Sequence, residues 1–322
     1  SMAESESFLL FLGSGASSST PMLSCLLGFG SRPGCACAKA DANPEGKDNR
    51  TNPSIVLGFL GADGERRTVL VDATKTMRKQ VTRHFRKNGL SAVDAVLLTH
   101  DHADAVLGLD DLRELQRVQR TVTEVGKVTY TALKNLPIFA LGNHISRCRE
   151  LFPYLFPRDI PDDQRRWVAK LEWKAVEPFE KIEVEGLPVQ IIPVIHGGDY
   201  VCSGFVFGNG SWPVVYISDV SSIPPATMDL LDSLACVGDD TRGIGLLILD
   251  ALCVEDKHAT HFNSIEALDV VARLQPTRAL FTGLSHDWHH DANGVELSRR
   301  ARERGLNVEL AHDGLRVPLD LM

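Results

Sequence analysis

The 322-residue chain lacks several features that would decide its class at a glance. It has no run of 18 apolar residues, so no transmembrane helix is expected. Its first residues, Ser-Met-Ala-Glu-Ser-Glu-Ser, have neither the basic flank nor the apolar core of a secretory signal. The leading Ser-Met resembles an expression-tag scar, and residues 1–6 are set aside as tag or disordered chain. There is no basic excess: 34 Lys and Arg stand against 42 Asp and Glu, for a net charge of −8, which argues against a general nucleic-acid binder. The seven Cys are scattered and odd in number, which argues against a disulfide framework and for reduced thiols in a cytoplasmic setting. No repeat, low-complexity tract or long linker divides the chain, so one domain is expected over 1–322. The glycine-rich stretch Gly13-Ser14-Gly15 is not followed by Gly-Lys-Ser/Thr, which excludes a P-loop.

What is present is an ordinary globular composition, 43% hydrophobic and 24% charged, with a conspicuous stretch near position 100. Residues 95–99 form a short apolar run of strand length that ends in His100-Asp101-His102-Ala103-Asp104. Alternate residues of a strand share a face, so His100 and His102 can point into one cleft at its C-terminal edge. Two imidazoles and a carboxylate suit a divalent metal such as Zn²⁺; the alternative is a polar turn with surface histidines. Other apolar runs end the same way. Residues 189–195 lead to His196, 214–217 to Ser218-Asp219, 246–249 to Asp250, and 278–282 to Gly283-Leu284-Ser285-His286. One site drawing on the whole chain follows from that recurrence, with Asp250 read as a structural carboxylate.

Between these runs the reading is coarser. Residues 54–60 and 68–72 form a hairpin across Gly61-Ala62-Asp63-Gly64. A helix over 75–88 ends at Gly89, and Asp72 is a candidate to cap it. An amphipathic helix carrying Leu107, Leu109, Leu112 and Leu115 follows the His-x-His stretch. Residues 117–131 have no clear period and read as an insertion near the cleft rim, and the mixed charges of 158–174 as a solvated face. Residues 143–152 form a helix, and Ser264 is a candidate cap for another. Residues 34–51 are polar and read as a mobile loop.

Thr99-His100-x-His102-x-Asp104, followed by Gly108-x-Asp110-Asp111-Leu112-Arg113, resembles the metal motif of the metallo-β-lactamase-fold hydrolases. Within them it resembles the branch that contains the phosphonate-pathway cyclic phosphodiesterases. Gly13, Gly15, Ser17 and Pro21 are similar to that branch's opening, and Phe152-Pro-Tyr-Leu-Phe156 to a later motif that can wall a pocket. The resemblance implies an α/β fold, a four-layer αββα sandwich of two mixed sheets flanked by helices. It also implies that Asp72 braces the metal loop. For a first metal it implies His100, His102 and His196, and for a second Asp104 and His286, with Asp219 bridging. The ion expected is Zn²⁺ or Mn²⁺. One departure is Ala105, where most of the superfamily has a further His ligand; Asp287, His289 or water would then fill the gap.

The same resemblance bears on the cysteines and on the reaction. Cys35-Ala36-Cys37 matches the start of a Cys-x-Cys-x-x-Cys cluster that, with a distant His, holds a structural zinc in that branch. The third position is Ala40, so Cys25 and either His258 or His261 are the candidates to complete it; two free thiols are the alternative. The activity implied is hydrolysis of a small-molecule ester, in particular a phosphodiester, cyclic or linear, by hydroxide from a metal-acidified water. Asp104 would orient the water, and His289 or His290 would protonate the leaving oxygen. Two other readings stay open: an RNA-processing nuclease of the same fold, and a degenerate member that binds metal without turnover. Neither a nucleic-acid nor a membrane partner is expected, and a homodimer is left open.

Overall fold

The computed structural model describes residues 7–30, 34–122, 126, 128–156, 167–208, 212–235 and 243–321. The expected tag at 1–6, most of the charged stretch 158–174 and part of the Gly208-Asn209-Gly210 turn lie outside them. The strands are β1 (Ser7–Gly13), β2 (Ser54–Leu60), β3 (Arg66–Val71), β4 (Ala95–Leu97), β5 (Val118–Val122), β6 (Val128–Ala132), β7 (Leu136–Leu141) and β8 (Leu171–Val176). They continue as β9 (Lys181–Val184), β10 (Leu187–Ile195), β11 (Val201–Phe207), β12 (Val214–Ile217), β13 (Leu246–Asp250), β14 (Arg278–Thr282), β15 (Val308–Leu310) and β16 (Arg316–Leu319). The helices are α1 (Leu23–Leu26), α2 (Cys37–Ala42), α3 (Met77–His84), α4 (Ala103–Val106), α5 (Gly142–Leu151), α6 (Pro225–Ala235), α7 (Ser264–Leu274) and α8 (His290–Glu303).

Two seven-stranded sheets dominate, in the orders β16-β1-β2-β3-β4-β7-β8 and β15-β14-β13-β12-β11-β10-β9. Each is mixed. The first is antiparallel from β16 to β3 and parallel from β3 to β8. The second is antiparallel from β9 to β12 and parallel from β12 to β15.

The layering follows from the two-residue period of a strand. Along β1, Leu9 and Phe11 face the other sheet, where they pack with Ile191, Phe205 and Phe207. Phe8, Leu10 and Leu12 face the opposite way and meet Met77 and Ile145 from α3 and α5. The second sheet repeats the pattern: Ile248 points inward, whereas Leu247 and Leu249 meet Leu231, Leu268, Val271 and Leu297 from α6, α7 and α8. Three cores separate four layers, and the architecture is the αββα sandwich the motifs implied. In such strands every residue is buried, which is why β1 and β13 read as unbroken apolar runs rather than alternating ones.

Several local expectations change. Asp72 caps no helix; its carboxylate accepts from the Thr99 backbone N–H and from Thr99 Oγ1, both at 2.8 Å. It therefore ties the end of β3 to the turn after β4. The cap of α7 is Asn263, not Ser264: its side chain accepts from Ile265 N and Glu266 N while Glu266 reaches back to Asn263 N. The leucine-rich segment after His102 is α4 followed by a 3₁₀ turn rather than one helix. Residues 117–131 contain the β5–β6 hairpin, whose side chains are largely exposed, so no apolar alternation marks it in the sequence.

Residues 34–51, expected as a mobile loop, hold α2 and a buried polar run from Asp48 to Asn52. Arg50 has no exposed surface. Its Nη2 donates to Asp48 Oδ1 at 3.1 Å and to the Trp288 carbonyl at 2.9 Å, and Nη1 donates to the Ser285 carbonyl at 3.3 Å. This side chain fastens the segment after α2 to residues 285–288. A buried cation of this kind is costly to disturb because its partners are left unpaired. Arg50→Ala is expected to lower unfolding stability by about 3 kcal/mol, measured by urea denaturation, with the mid-point shifted and the slope unchanged.

Candidate metal centre

The ends of the inner strands deliver the polar residues to one edge of the sandwich. After β4 the chain turns at Thr99. Thr99 Oγ1 spends its proton on Asp72, so it accepts from His100 Nδ1 at 2.8 Å. That fixes the proton on Nδ1 and leaves the Nε2 lone pair of a buried ring with no hydrogen-bond partner. His196, just past β10, is held in the same sense: Nδ1 donates to the Thr260 carbonyl at 2.8 Å, leaving Nε2 free. Donor nitrogens of His100, His102 and His196 lie within 4.8 Å of one another. Burial pushes the His100 imidazole down to about 3 and lowers His196 as well. Both are therefore neutral near pH 7, the form that binds a metal.

Asp219, on the turn after β12, faces this cluster, and its carboxylate groups with His196 and with His261. Burial raises it, but the facing His100, His261 and His196 hold it below the usual carboxylate range. Asp104 is also buried, and burial together with Asp219 raises it. An orphaned imidazole lone pair, two more convergent imidazoles and a carboxylate form a donor set that fits a divalent ion such as Zn²⁺.

Two expected positions are exchanged. His286, expected at a second metal beside Asp104, lies instead among the cysteines. Its Nδ1 is 3.3 Å from Cys25 Sγ and 3.5 Å from Cys37 Sγ, and Cys35 Sγ is 4.0 Å from Cys25 Sγ. The four donors Cys25, Cys35, Cys37 and His286 fall within 4.8 Å of one another. The cause is the path after β14: Leu284 pairs with the β1 turn through the Ser14 carbonyl, and Ser285 with the Leu252 carbonyl. The chain is thereby carried past the site before His286 is reached. The position nearer the strand end is Gly283, where a Cβ would lie 2.5 Å from Asp250 Oδ1, and which has no donor to offer.

His261 makes the opposite move. It was a candidate for the cysteine cluster, yet its Nδ1 is 2.7 Å from the buried carboxylate of Asp250, and its ring centroid is 4.7 Å from that of His196. Burial lowers an imidazole, but Asp250 outweighs it and pushes His261 up to about 9. Asp250, read from sequence as structural, is thus the partner of a site residue. The signal available was its position: an Asp ending an apolar strand, as Asp219 does.

The remaining expectations divide. His289, expected as a proton donor, bonds to the Gly34 carbonyl beside the cysteine segment, and His258 packs on His261 with centroids 5.3 Å apart. Ala105 is buried with the helix-side core. Of the residues expected at the second metal position, Asp104 and Asp219 remain at the strand ends, and the imidazole that groups with Asp219 there besides His196 is His261 rather than His286. Four donors at the cysteines and three imidazoles plus Asp219 at the strand ends therefore predict two bound ions per chain. Cys37→Ser and His102→Ala should each remove about one ion, measured by elemental analysis after dialysis against trace zinc, and the double variant both.

Comparison with known proteins agrees with the fold. Residues 67–283 match the family described as the beta-lactamase superfamily domain. The structure is similar to that of a diphosphatase of the PhnP family, with a TM-score of 0.70, 29% identity and 98% of both chains covered. It is also similar in fold to Zn²⁺-bound PqqB from Methylobacterium extorquens, with a TM-score of 0.66 and 20% identity, covering 97% of this chain and 100% of that one. In sequence it is 26% identical over 277 residues to an octanoyltransferase of Porphyromonas gingivalis, across 86% of this chain and 46% of that protein. The chain thus spans about half the length of that relative. The family match covers well over half of the chain, which belongs to the beta-lactamase superfamily domain family and has the metallo-β-lactamase fold.

Proposed function

We propose that the protein hydrolyses a phosphate ester or diphosphate bond of a small molecule, using Zn²⁺ or Mn²⁺ held by His100, His102, His196 and Asp219. The observation that carries this reading is geometric: three convergent imidazoles and Asp219 stand beside His261, whose Nδ1 is 2.7 Å from the buried carboxylate of Asp250. When bound, the ion would acidify a water to a pKa near ~7 and polarise a substrate oxygen. Asp104, buried beside Asp219, accepts a proton from the attacking water and orients it. His261 neutralises charge that develops on the substrate oxygens and donates a proton to the leaving oxygen. Its Nδ1 is engaged by Asp250, so the proton it can deliver is the one on Nε2.

The substrate class rests on further support. The similarity to a PhnP-family diphosphatase favours phosphorus over carbonyl centres. The cysteine–histidine cluster is assigned a structural zinc, which would require Cys37, pushed by burial up to about 12, to give up its proton to the ion.

The test is turnover by the metal-loaded protein of a panel containing diphosphates, cyclic and linear phosphodiesters, carboxylic esters and thioesters. Phosphorus substrates should be preferred, and a preference for thioesters would overturn the reading. His261→Asn is expected to lower kcat by about 10²–10⁴-fold with metal content retained. Because the active form of His261 is protonated and Asp250 raises its pKa, kcat should fall on the alkaline side as pH rises through the pKa of His261 in the metal-loaded protein. Asp250→Asn removes the charge that raises it, so that alkaline limb should move to lower pH.

A further inference from the structure

The three clustered imidazoles are not held alike. His100 and His196 each have Nδ1 fixed by a hydrogen bond, to Thr99 Oγ1 and to the Thr260 carbonyl. Among the described residues nothing hydrogen-bonds the ring of His102, and it is the exposed member of the three. A metal-binding imidazole left free to rotate pays an ordering cost on every binding event, and such ligands are ordinarily oriented by a hydrogen bond to their second nitrogen. What touches His102 instead is Tyr200, whose ring lies flat against it with centroids 4.8 Å apart and planes 9° apart.

Tyr200 is itself fixed from two sides. Its main chain is bound to that of a clustered imidazole: His196 N donates to the Tyr200 carbonyl at 2.9 Å, and Tyr200 N to the Gly197 carbonyl at 3.0 Å. Its hydroxyl donates to Asp101 Oδ1 at 2.7 Å, and Asp101 is the residue between His100 and His102. The other carboxylate oxygen, Oδ2, accepts from Nδ1 of His144 at 2.8 Å. His144 has no exposed surface, sits on α5, and spends its other nitrogen on the Val201 carbonyl at 3.1 Å. The chain of contacts therefore closes on itself. His144 anchors Asp101, Asp101 aligns the Tyr200 hydroxyl, and the Tyr200 ring defines the plane of His102 while its main chain holds His196.

We infer that Tyr200, aligned by Asp101 and His144, is the positioning residue for the His102 imidazole and sets the affinity of the strand-end metal site by stacking where a hydrogen bond is absent. The inference rests on the metal reading above. It gives functions to Asp101 and His144, which the hydrolytic chemistry leaves unused, and it couples a loop of the second sheet to the metal turn of the first.

The experiment is a Co²⁺ titration of chelator-stripped protein in competition with a calibrated chelator, read by visible absorption. The ligand-field bands of the imidazole site are read in a Cys37→Ser background, which removes the overlapping bands of the cysteine site, and the thiolate-to-cobalt band of protein with intact cysteines reports the cysteine site separately. Tyr200→Leu should weaken the imidazole site by about 10–100-fold and change its ligand-field bands, with the thiolate band and its affinity unchanged. Tyr200→Phe keeps the stack and loses only the hydroxyl, so it should restore most of that affinity. If Tyr200→Leu does not fold, Asp101→Ala is read in the same way, with a smaller expected loss of several-fold. Unchanged imidazole-site affinity and bands in the folded variant would overturn the inference, as would equal weakening of both sites, which marks a general loss of structure. His100→Ala separates the two levels of the argument. Persistence of the ligand-field bands in that variant would mean that the metal reading itself is wrong. Their loss, with an unaltered Tyr200 variant, would mean that only the positioning role is.

Discussion

A buried imidazole with one unfilled lone pair is the constraint from which the rest of the site follows. His100 is almost wholly removed from water, and Asp72 and Thr99 account for one of its nitrogens. The other is desolvated and unpaired, a state that costs on the order of 1–3 kcal/mol when nothing fills it. The packing that imposes this cost is that of the two sheets, since β4 is buried on both faces and cannot tilt the ring back toward solvent. A metal ion removes the penalty, and the neutral state forced on His100 by burial is the state an ion requires. Folding and metal affinity are in this sense one problem at position 100.

The same economy explains why the site is assembled from strand ends. A strand buried on both faces has no room for polar side chains until it leaves the sandwich, so Thr99, His196, Asp219 and Asp250 all appear at or beyond a C-terminal end. The parallel arrangement of β12, β13 and β14 brings several of those ends to one edge. The shifts then run in opposite directions there: Asp219 is held below the usual carboxylate range, and Asp250 raises His261. Shifting neighbouring groups in opposite directions in this way lets a site keep an ionised ligand beside a protonated acid at one pH.

Much of this was legible in the sequence, because the apolar run followed by His-x-His-x-Asp fixes both a strand and what it delivers. The strand ends grouped His100, His102, His196 and Asp219 together with Asp250 and His286, and the narrower ligand set and the αββα layering followed from the motif's resemblance. What was not legible depended on loops. His286 and His261 could not be sorted between two clusters, because the pairing of Leu284 with the β1 turn and of Leu252 with Phe262 decides where each loop travels. Neither pairing leaves a periodic signal. The 34–51 segment looked mobile because its residues are polar, yet a buried Arg50 with carbonyl acceptors orders such a segment without apolar content. The β5–β6 hairpin was missed for the converse reason, since an exposed two-stranded ribbon has no buried face to impose alternation. Tyr200 was invisible as a site residue because an aromatic after a glycine turn reads as packing until its stack on His102 is seen.

The central claim is that two separate ion sites exist, one of imidazoles and carboxylate at the strand ends and one of three thiolates with His286. Anomalous diffraction from crystals of zinc-loaded protein, collected on either side of the zinc edge, tests it directly. The account predicts two peaks per chain, one enclosed by His100, His102, His196 and Asp219 and one by Cys25, Cys35, Cys37 and His286. A peak shared by His286 and Asp104, or none among the three imidazoles in fully loaded protein, would contradict it.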